Sequence, residues 1–322
     1  MTYQAKPLLS GTEERSGSAF EYVVAAALQA ATPATIANGI AAERAKAKFE
    51  QLPDAKRKVL LRCAERAVAY LVEADKRLVA NSSKSIVFNS PHNAQAHHDV
   101  RDLIVQSKTF SIGVSCKVNN VDLRHSRLSG TADFVKEWGL SGGGASRTYW
   151  QAIEPVFKEL RRMGANSLRW DQVFPGDPKI RNQRKLDEYV SPILDSWFTE
   201  LVGLVEIDKN IAPKLARYLL GSSSYWKIAA RTPATSDSAH VDIQRFNLNG
   251  DMPGVPLTLP TEVLQCSVKQ GSQSRERLIS CDNGYEFGFR LHTAESEVKP
   301  SLKFAVKART LPADLASVRL KA

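Results

Sequence analysis

The chain has 322 residues, 43% of them apolar and 24% charged, with a formal net charge of +10 and a pI of about 9.4. Such a chain is long enough for one large domain or two smaller ones with real cores, and its composition is that of a soluble globular protein. No apolar run approaches the ~20 residues that span a bilayer, which excludes a helical membrane protein, and the basic balance favours a polyanionic partner.

The cysteines, Cys63, Cys116, Cys266 and Cys281, are scattered without a C-x-x-C pair, so neither a zinc site nor a disulfide framework is expected. Reduced thiols, and an N-terminus without a signal-peptide core, place the chain in the cytoplasm.

Residues 1–16 are polar and expected to be loosely ordered. Ser18 opens a helix to about Ala31, with Phe20, Val23, Val24, Ala27 and Leu28 along one side. Ser18-Ala19-Phe20-Glu21 fits a capping box, in which Glu21 bonds back to the helix entrance. Thr32-Pro33 breaks that helix, and two more are expected, from about Asn38 to Gln51 and from Pro53 to about Asn81. Asn89-Ser90-Pro91-His92 is a turn. The adjacent His97 and His98 are read as surface or structural, since neighbouring histidines rarely share one ion.

The chemistry centres on 99–138. Asp102 opens the apolar run Leu103-Ile104-Val105, and after a polar break at Ser107-Lys108 a second run leads from Phe110 to Ser115-Cys116-Lys117. Two short apolar runs across a tight break predict a hairpin that brings Asp102 and Lys117 together at one end of a sheet. By strand alternation Val114 and Cys116 face one way, Ser115 and Lys117 the other. A carboxylate that holds a divalent metal, with a lysine beside it to orient or deprotonate water, is the core of a metal-dependent phosphodiesterase. Asp99 is the alternative carboxylate, but it lies outside the strand that fixes Asp102. The Cys116 carbonyl is a candidate further oxygen ligand. Arg124 and Arg127 emerge directly after the second strand, where an arginine can clamp phosphate or read guanine. His125 between them is a candidate base or phosphate donor, or a structural histidine. Asp133 and Glu137 are four apart and share a helical face.

Ser141-Gly142-Gly143-Gly144 is a loop without the G-K-[ST] ending of a phosphate-binding P-loop. Arg147 opens an amphipathic helix that ends near Gly164. A basic cluster from Lys179 to Lys185 leads into a long helix with an apolar stripe through Tyr189, Ile193, Leu194, Phe198 and Leu201. From Tyr225 short apolar runs broken by Gly, Pro and Asn predict a β-rich lobe, with a strong turn at Asn283-Gly284. Two domains follow, residues 1–230 as a helical core that carries the Asp102–Lys117 hairpin and residues 231–322 as the β-rich lobe. Arg290, His292, Lys299 and Lys303 make that lobe a second candidate DNA-contacting surface.

The words S-G-S-A-F-E-Y, G-V-S-C-K, L-R-H-S-R-L-S, A-D-F-V-K-E-W, Y-L-L-G-S-S-S-Y-W-K-I and N-G-Y-E-F-G-F-R-L-H-T-A-E-S-E-V-K-P-S-L-K-F-A-V occur in this order. Together they resemble the HaeIII-type restriction endonucleases, and more broadly the PD-(D/E)xK nucleases in a variant with serine, here Ser115, in place of one acid. The resemblance implies an α/β fold with a PD-(D/E)xK-like mixed central sheet flanked by helices, and a β-rich C-terminal lobe. It implies a type II restriction endonuclease that uses Mg2+ to hydrolyse double-stranded DNA at GGCC, leaving blunt ends. Asp102 and Lys117 would be catalytic, and the missing acid would come from Glu21 of the first helix or from Asp133. Arg124, Arg127, Arg147 and Arg290 are the candidate DNA contacts. A palindromic target suits a two-fold homodimer, or a monomer that cuts each strand in turn, and a cognate DNA methyltransferase would belong to the same system. The alternative is a non-catalytic DNA-binding protein that keeps a nuclease-like core.

Overall fold

The computed structural model describes residues 12–80, 82–89, 99–119, 122–124, 126–232, 238–269, 275–293 and 296–322. The chain runs through α1 (Thr12–Ala31), β1 (Ala34–Ile36), α2 (Ile40–Glu50), α3 (Asp54–Ala74), β2 (Lys84–Phe88), β3 (Leu103–Gln106), β4 (Ser111–Val118), β5 (Asp122–Arg124) and β6 (Arg127–Ser129). It continues with α4 (Phe134–Glu137), α5 (Arg147–Ala165), α6 (Trp170–Val173), α7 (Pro178–Lys185), a π-helical turn (Leu186–Val190), α8 (Ser191–Ile207) and α9 (Ile211–Leu220). The strands β7 (Tyr225–Arg231), β8 (His240–Phe246), β9 (Val263–Val268), β10 (Arg277–Cys281), β11 (Glu286–His292), β12 (Ser301–Thr310) and β13 (Ser317–Lys321) follow.

These elements form two compact units, one of residues 1–121, 221–257 and 314–322, the other of 122–220 and 258–313. The first unit is built on a seven-stranded mixed sheet in the order β1-β2-β3-β4-β7-β8-β13. The pairs β1/β2 and β4/β7 are parallel and the others antiparallel. Phe20, Val24 and Leu28 of α1 and Leu60, Ala64 and Leu71 of α3 are buried in one core with Ile86, Val105, Val114 and Ile228 of the sheet. Each large aliphatic or aromatic side chain buried there contributes about 1.5–3 kcal/mol.

Two expectations for this unit are corrected. α1 begins at Thr12, so Ser18 lies well inside the helix and no capping box forms; its Oγ instead accepts a hydrogen bond from Lys48 Nζ at 3.2 Å. The i, i+3 pattern of Ser18 and Glu21 is therefore part of a helix side, and Glu21 is released from any capping role. α3 stops at Ala74, because Asp75 turns extended and its carboxylate accepts from the Arg77 backbone N–H (3.2 Å) and guanidinium (2.8 and 2.6 Å), capping a tight 3₁₀ turn. The chain then forms β2, an unexpected strand whose Ser-Ile-Val-Phe run is too short to announce itself by periodicity.

In the second unit the antiparallel order is β5-β12-β11-β10-β9, with β6 also paired to β12. Aromatic side chains fill the core: Trp197 lies 4.9 Å from Phe289 and 4.8 Å from Phe304, and Trp138 stacks on Tyr218 at 4.6 Å. Asn283 and Gly284 both take positive φ (55° and 80°) between β10 and β11, the backbone that an Asn-Gly turn favours. The expected cut at 230/231 does not coincide with this division. β8 and β13 complete the first sheet, while β5 and β6 join the second. The fold is mixed α/β and nuclease-like, a mixed sheet flanked by helices with a β-rich C-terminal region.

Candidate active site

The hairpin predicted around Asp102 forms. β3 and β4 pair antiparallel with Leu103 opposite Val114, and the Asp102 N–H extends the ladder by donating to the Val114 carbonyl at 2.8 Å. One oxygen of the Asp102 carboxylate, Oδ2, then accepts from Ser115 Oγ (3.1 Å), the Cys116 backbone N–H (2.6 Å) and Lys117 Nζ (3.2 Å). The S-C-K word thus wraps one carboxylate oxygen and leaves Oδ1 outside these bonds. Ile112, Val114 and Cys116 sit in the core, as alternation requires. Asp99 is engaged elsewhere: Arg101 grips both its oxygens at 2.7–3.0 Å.

Charge gathers at this point. Burial, and then the Asp102 carboxylate, push Glu21 of α1 up to about 8, against the opposing pull of Lys117 and Lys48. Burial draws Lys117 down, but the Asp102 charge, the hydrogen bond to it and Glu21 outweigh this, and its ammonium is held above the ordinary lysine value. The Cys116 thiol is raised well above its usual range by burial and the two acids. At neutral pH the site holds the Lys117 ammonium and a protonated Glu21 beside Asp102.

Glu21 has a measurable consequence. Its folded value lies above the unfolded one, so the metal-free fold binds a proton that the unfolded chain releases. Stability is expected to fall by about 1.4 kcal/mol per pH unit between the ordinary carboxylate value and about 8. Glu21→Gln should flatten that slope and be the more stable protein at pH 8. Urea melts of both proteins from pH 5 to 9 check this, and parallel slopes would refute it.

Other candidates have different surroundings. Asp133 is the N-cap of α4, and its carboxylate accepts from the backbone N–H groups of Val135 (3.1 Å), Lys136 (3.3 Å) and Ala145 (3.1 and 3.2 Å). Those bonds occupy it in a helix-capping role within the second unit. Glu137 is raised by partial burial and by Asp133. Arg147 is the exposed first residue of α5, capped by Ser146. Arg127 on β6 and Arg290 on β11 are exposed, and Arg127 donates to Ser301 Oγ at 3.1 Å. His97, His98, His125 and the side chain of Arg124 lie outside the described residues.

Sequence reasoning passed over Lys227. It is the register partner of Ser115 across the parallel β4/β7 pair, on the same sheet face, and it is buried. The signal in the chain was a lysine in the middle of the apolar strand Y-W-K-I-A-A, a position where charge is costly without compensation.

A nuclease-like sheet with an Asp–Lys pair at the ends of adjacent strands defines a class of phosphodiester-cleaving enzymes. Comparison with known proteins makes it specific. A family model described as HaeIII restriction endonuclease matches residues 17–312. The type II restriction enzyme HaeIII of Haemophilus aegyptius is 30% identical over 231 residues, 67% of this chain and 68% of that enzyme. No solved structure matches significantly. The chain belongs to the HaeIII restriction endonuclease family and is a type II site-specific endonuclease. Among the described residues, no helix is long and apolar enough to cross a membrane.

Proposed function

We propose that this endonuclease cleaves duplex DNA at GGCC in a Mg2+-dependent reaction leaving blunt ends, with Asp102 and Glu21 as the metal carboxylates and Lys117 beside the attacking water. The observation that carries the reading is the convergence of Ser115, Cys116 and Lys117 on one oxygen of Asp102, with a second, half-buried carboxylate, Glu21, raised in part by the Asp102 charge. Among the described residues no three His, Cys, Asp or Glu side chains gather as a closed metal cluster. Magnesium does not need one, since it is held by one or two carboxylates with water and phosphate oxygens completing the shell. The raised Glu21 fits such a sparse site: two crowded carboxylates keep a proton that a divalent cation would displace. Bound there, the ion would supply charge stabilisation at the phosphate and a water of lowered pKa.

The chain's own groups have distinct tasks. Lys117, whose ammonium the Asp102 charge holds above the ordinary lysine value, donates hydrogen bonds and positive charge beside the attacking water. Ser115 and the Cys116 N–H fix the rotamer of Asp102. The GGCC target and blunt ends are what the family resemblance implies; a palindrome would suit a two-fold homodimer or a monomer that cuts each strand in turn, and a companion methyltransferase would belong to the same system. Digestion of a sequenced plasmid with and without Mg2+, with the cut ends mapped, tests the proposal. Discrete fragments with ends inside GGCC, only when Mg2+ is present, are expected. A smear would reject site specificity, and a gel shift without cutting would leave a DNA-binding protein that has lost its chemistry.

A further inference from the structure

The second sheet has one face in the aromatic core and one outside it, and the outer face carries an arrangement of charge that folding alone does not reward. Lys303 of β12 is paired in register with Arg127 of β6 on one side and with His292 of β11 on the other. Cross-strand partners point to the same face, with neighbouring strands about 4.8 Å apart. Arg290 lies two residues before His292 on the same strand, hence on the same face. The alternate residues Leu302, Phe304, Phe289 and Leu291 are buried. The cations Arg127 and Lys303 therefore stand side by side on adjacent strands with His292 next in the row, although like charges placed side by side destabilise a sheet.

Two other cations of β12 have acid partners. Arg309 pairs with the buried Glu276, and Lys307 approaches Asp122 at 3.9 Å. Among the described residues no such ion pair is made by Lys303 or Arg290. Burial, Lys303, Arg290 and Arg127 lower His292 from its usual value, against Asp122, which raises it. At neutral pH the imidazole is thus a neutral donor beside Lys303.

We propose that the Arg127–Lys303–His292 row, with Arg290, is a platform for the phosphate backbone of duplex DNA. This rests on the duplex-cleaving reading above and adds the surface that holds the substrate. Backbone phosphates fit better than base edges because the sheet is too broad to enter a groove. Its five-strand path, β5 to β9, spans about 19 Å at the usual strand spacing, against a major groove about 12 Å wide. Phosphate contacts position a duplex without reading its sequence.

The test is metal-free binding to a GGCC duplex and to a scrambled duplex over a range of salt. The Lys303→Gln/Arg290→Gln double variant should bind both duplexes more weakly, by on the order of tenfold per cation. The slope of log K against log salt should become shallower by roughly 0.9 for each phosphate that the variant no longer neutralises. Lys303→Arg should restore the slope at that position, which controls for a folding defect, and melting temperatures of the variants should match wild type. Wild-type binding should also tighten as pH falls below the usual histidine value, since phosphate favours the imidazolium, and His292→Gln should remove that dependence. Unchanged affinity and slope in the double variant would overturn the platform. Weakening confined to the GGCC duplex would overturn its assignment to phosphate. Plasmid digestion by wild type is scored separately, so an uncut plasmid counts against the proposed reaction and not against this surface.

Discussion

Lys117→Ala is expected to lower the rate of DNA cleavage by on the order of 10²–10³-fold or more while leaving metal-free binding to a GGCC duplex unchanged. Its ammonium is half-buried and donates to Asp102 Oδ2 at 3.2 Å, next to the carboxylate proposed to hold the metal. The fold should tolerate the change. Ser115 Oγ and the Cys116 N–H still satisfy Asp102 Oδ2, and the strand keeps its core residues. Single-turnover nicking of supercoiled plasmid gives the readout. A variant that nicks at the wild-type rate would remove Lys117 from the chemistry and with it the site assignment.

Asp102→Asn should be as severe and should change a second observable. Without the aspartate charge, cleavage is expected to disappear at Mg2+ concentrations that saturate wild type. The titration of Glu21 should also move down from about 8, because Asp102 is the second cause of its elevation after burial. Carbon-detected NMR of the Glu21 carboxyl reports the second effect without reference to activity. If Mg2+ dependence is the same as wild type, Asp102 is not a ligand. If Glu21 does not move, the two acids are not electrostatically joined. Asp102→Ala is a harsher change. It leaves the buried Ser115 hydroxyl and the Cys116 N–H without their acceptor, at about 1–3 kcal/mol for each group left unmatched.

The parts of this molecule that were legible in the chain are those decided within a few residues. Leu103-Ile104-Val105 and the run ending at Ser115-Cys116-Lys117 announced two strands, and their short connection fixed which ends meet. Asn283-Gly284 announced its turn because few other residue pairs take positive φ twice in succession. The local signal misled at Ser18 and Glu21. A capping-box pattern also occurs on the side of a continuing helix, and only the upstream turn from Thr12 distinguishes the two. Asp133 shows the reverse case: a carboxylate that looked free to hold a metal is held by three backbone N–H groups.

The Asp102–Lys117 hairpin was readable directly from the chain, because strand alternation and a tight connection bring those two side chains together at one end. Three relations came instead from the assembled fold: Glu21 of α1 feels the Asp102 charge, Lys227 lies in register beside Ser115, and Arg127 stands abreast of Lys303 and His292. Each of these depends on which strand or helix neighbours which across more than ninety residues of chain, as from Ser115 to Lys227, or across a helix-to-sheet packing. Backbone hydrogen bonding is nearly the same for any strand pair, so such partners are selected by burial of whole faces, a property of the assembled core and not of any short stretch of sequence.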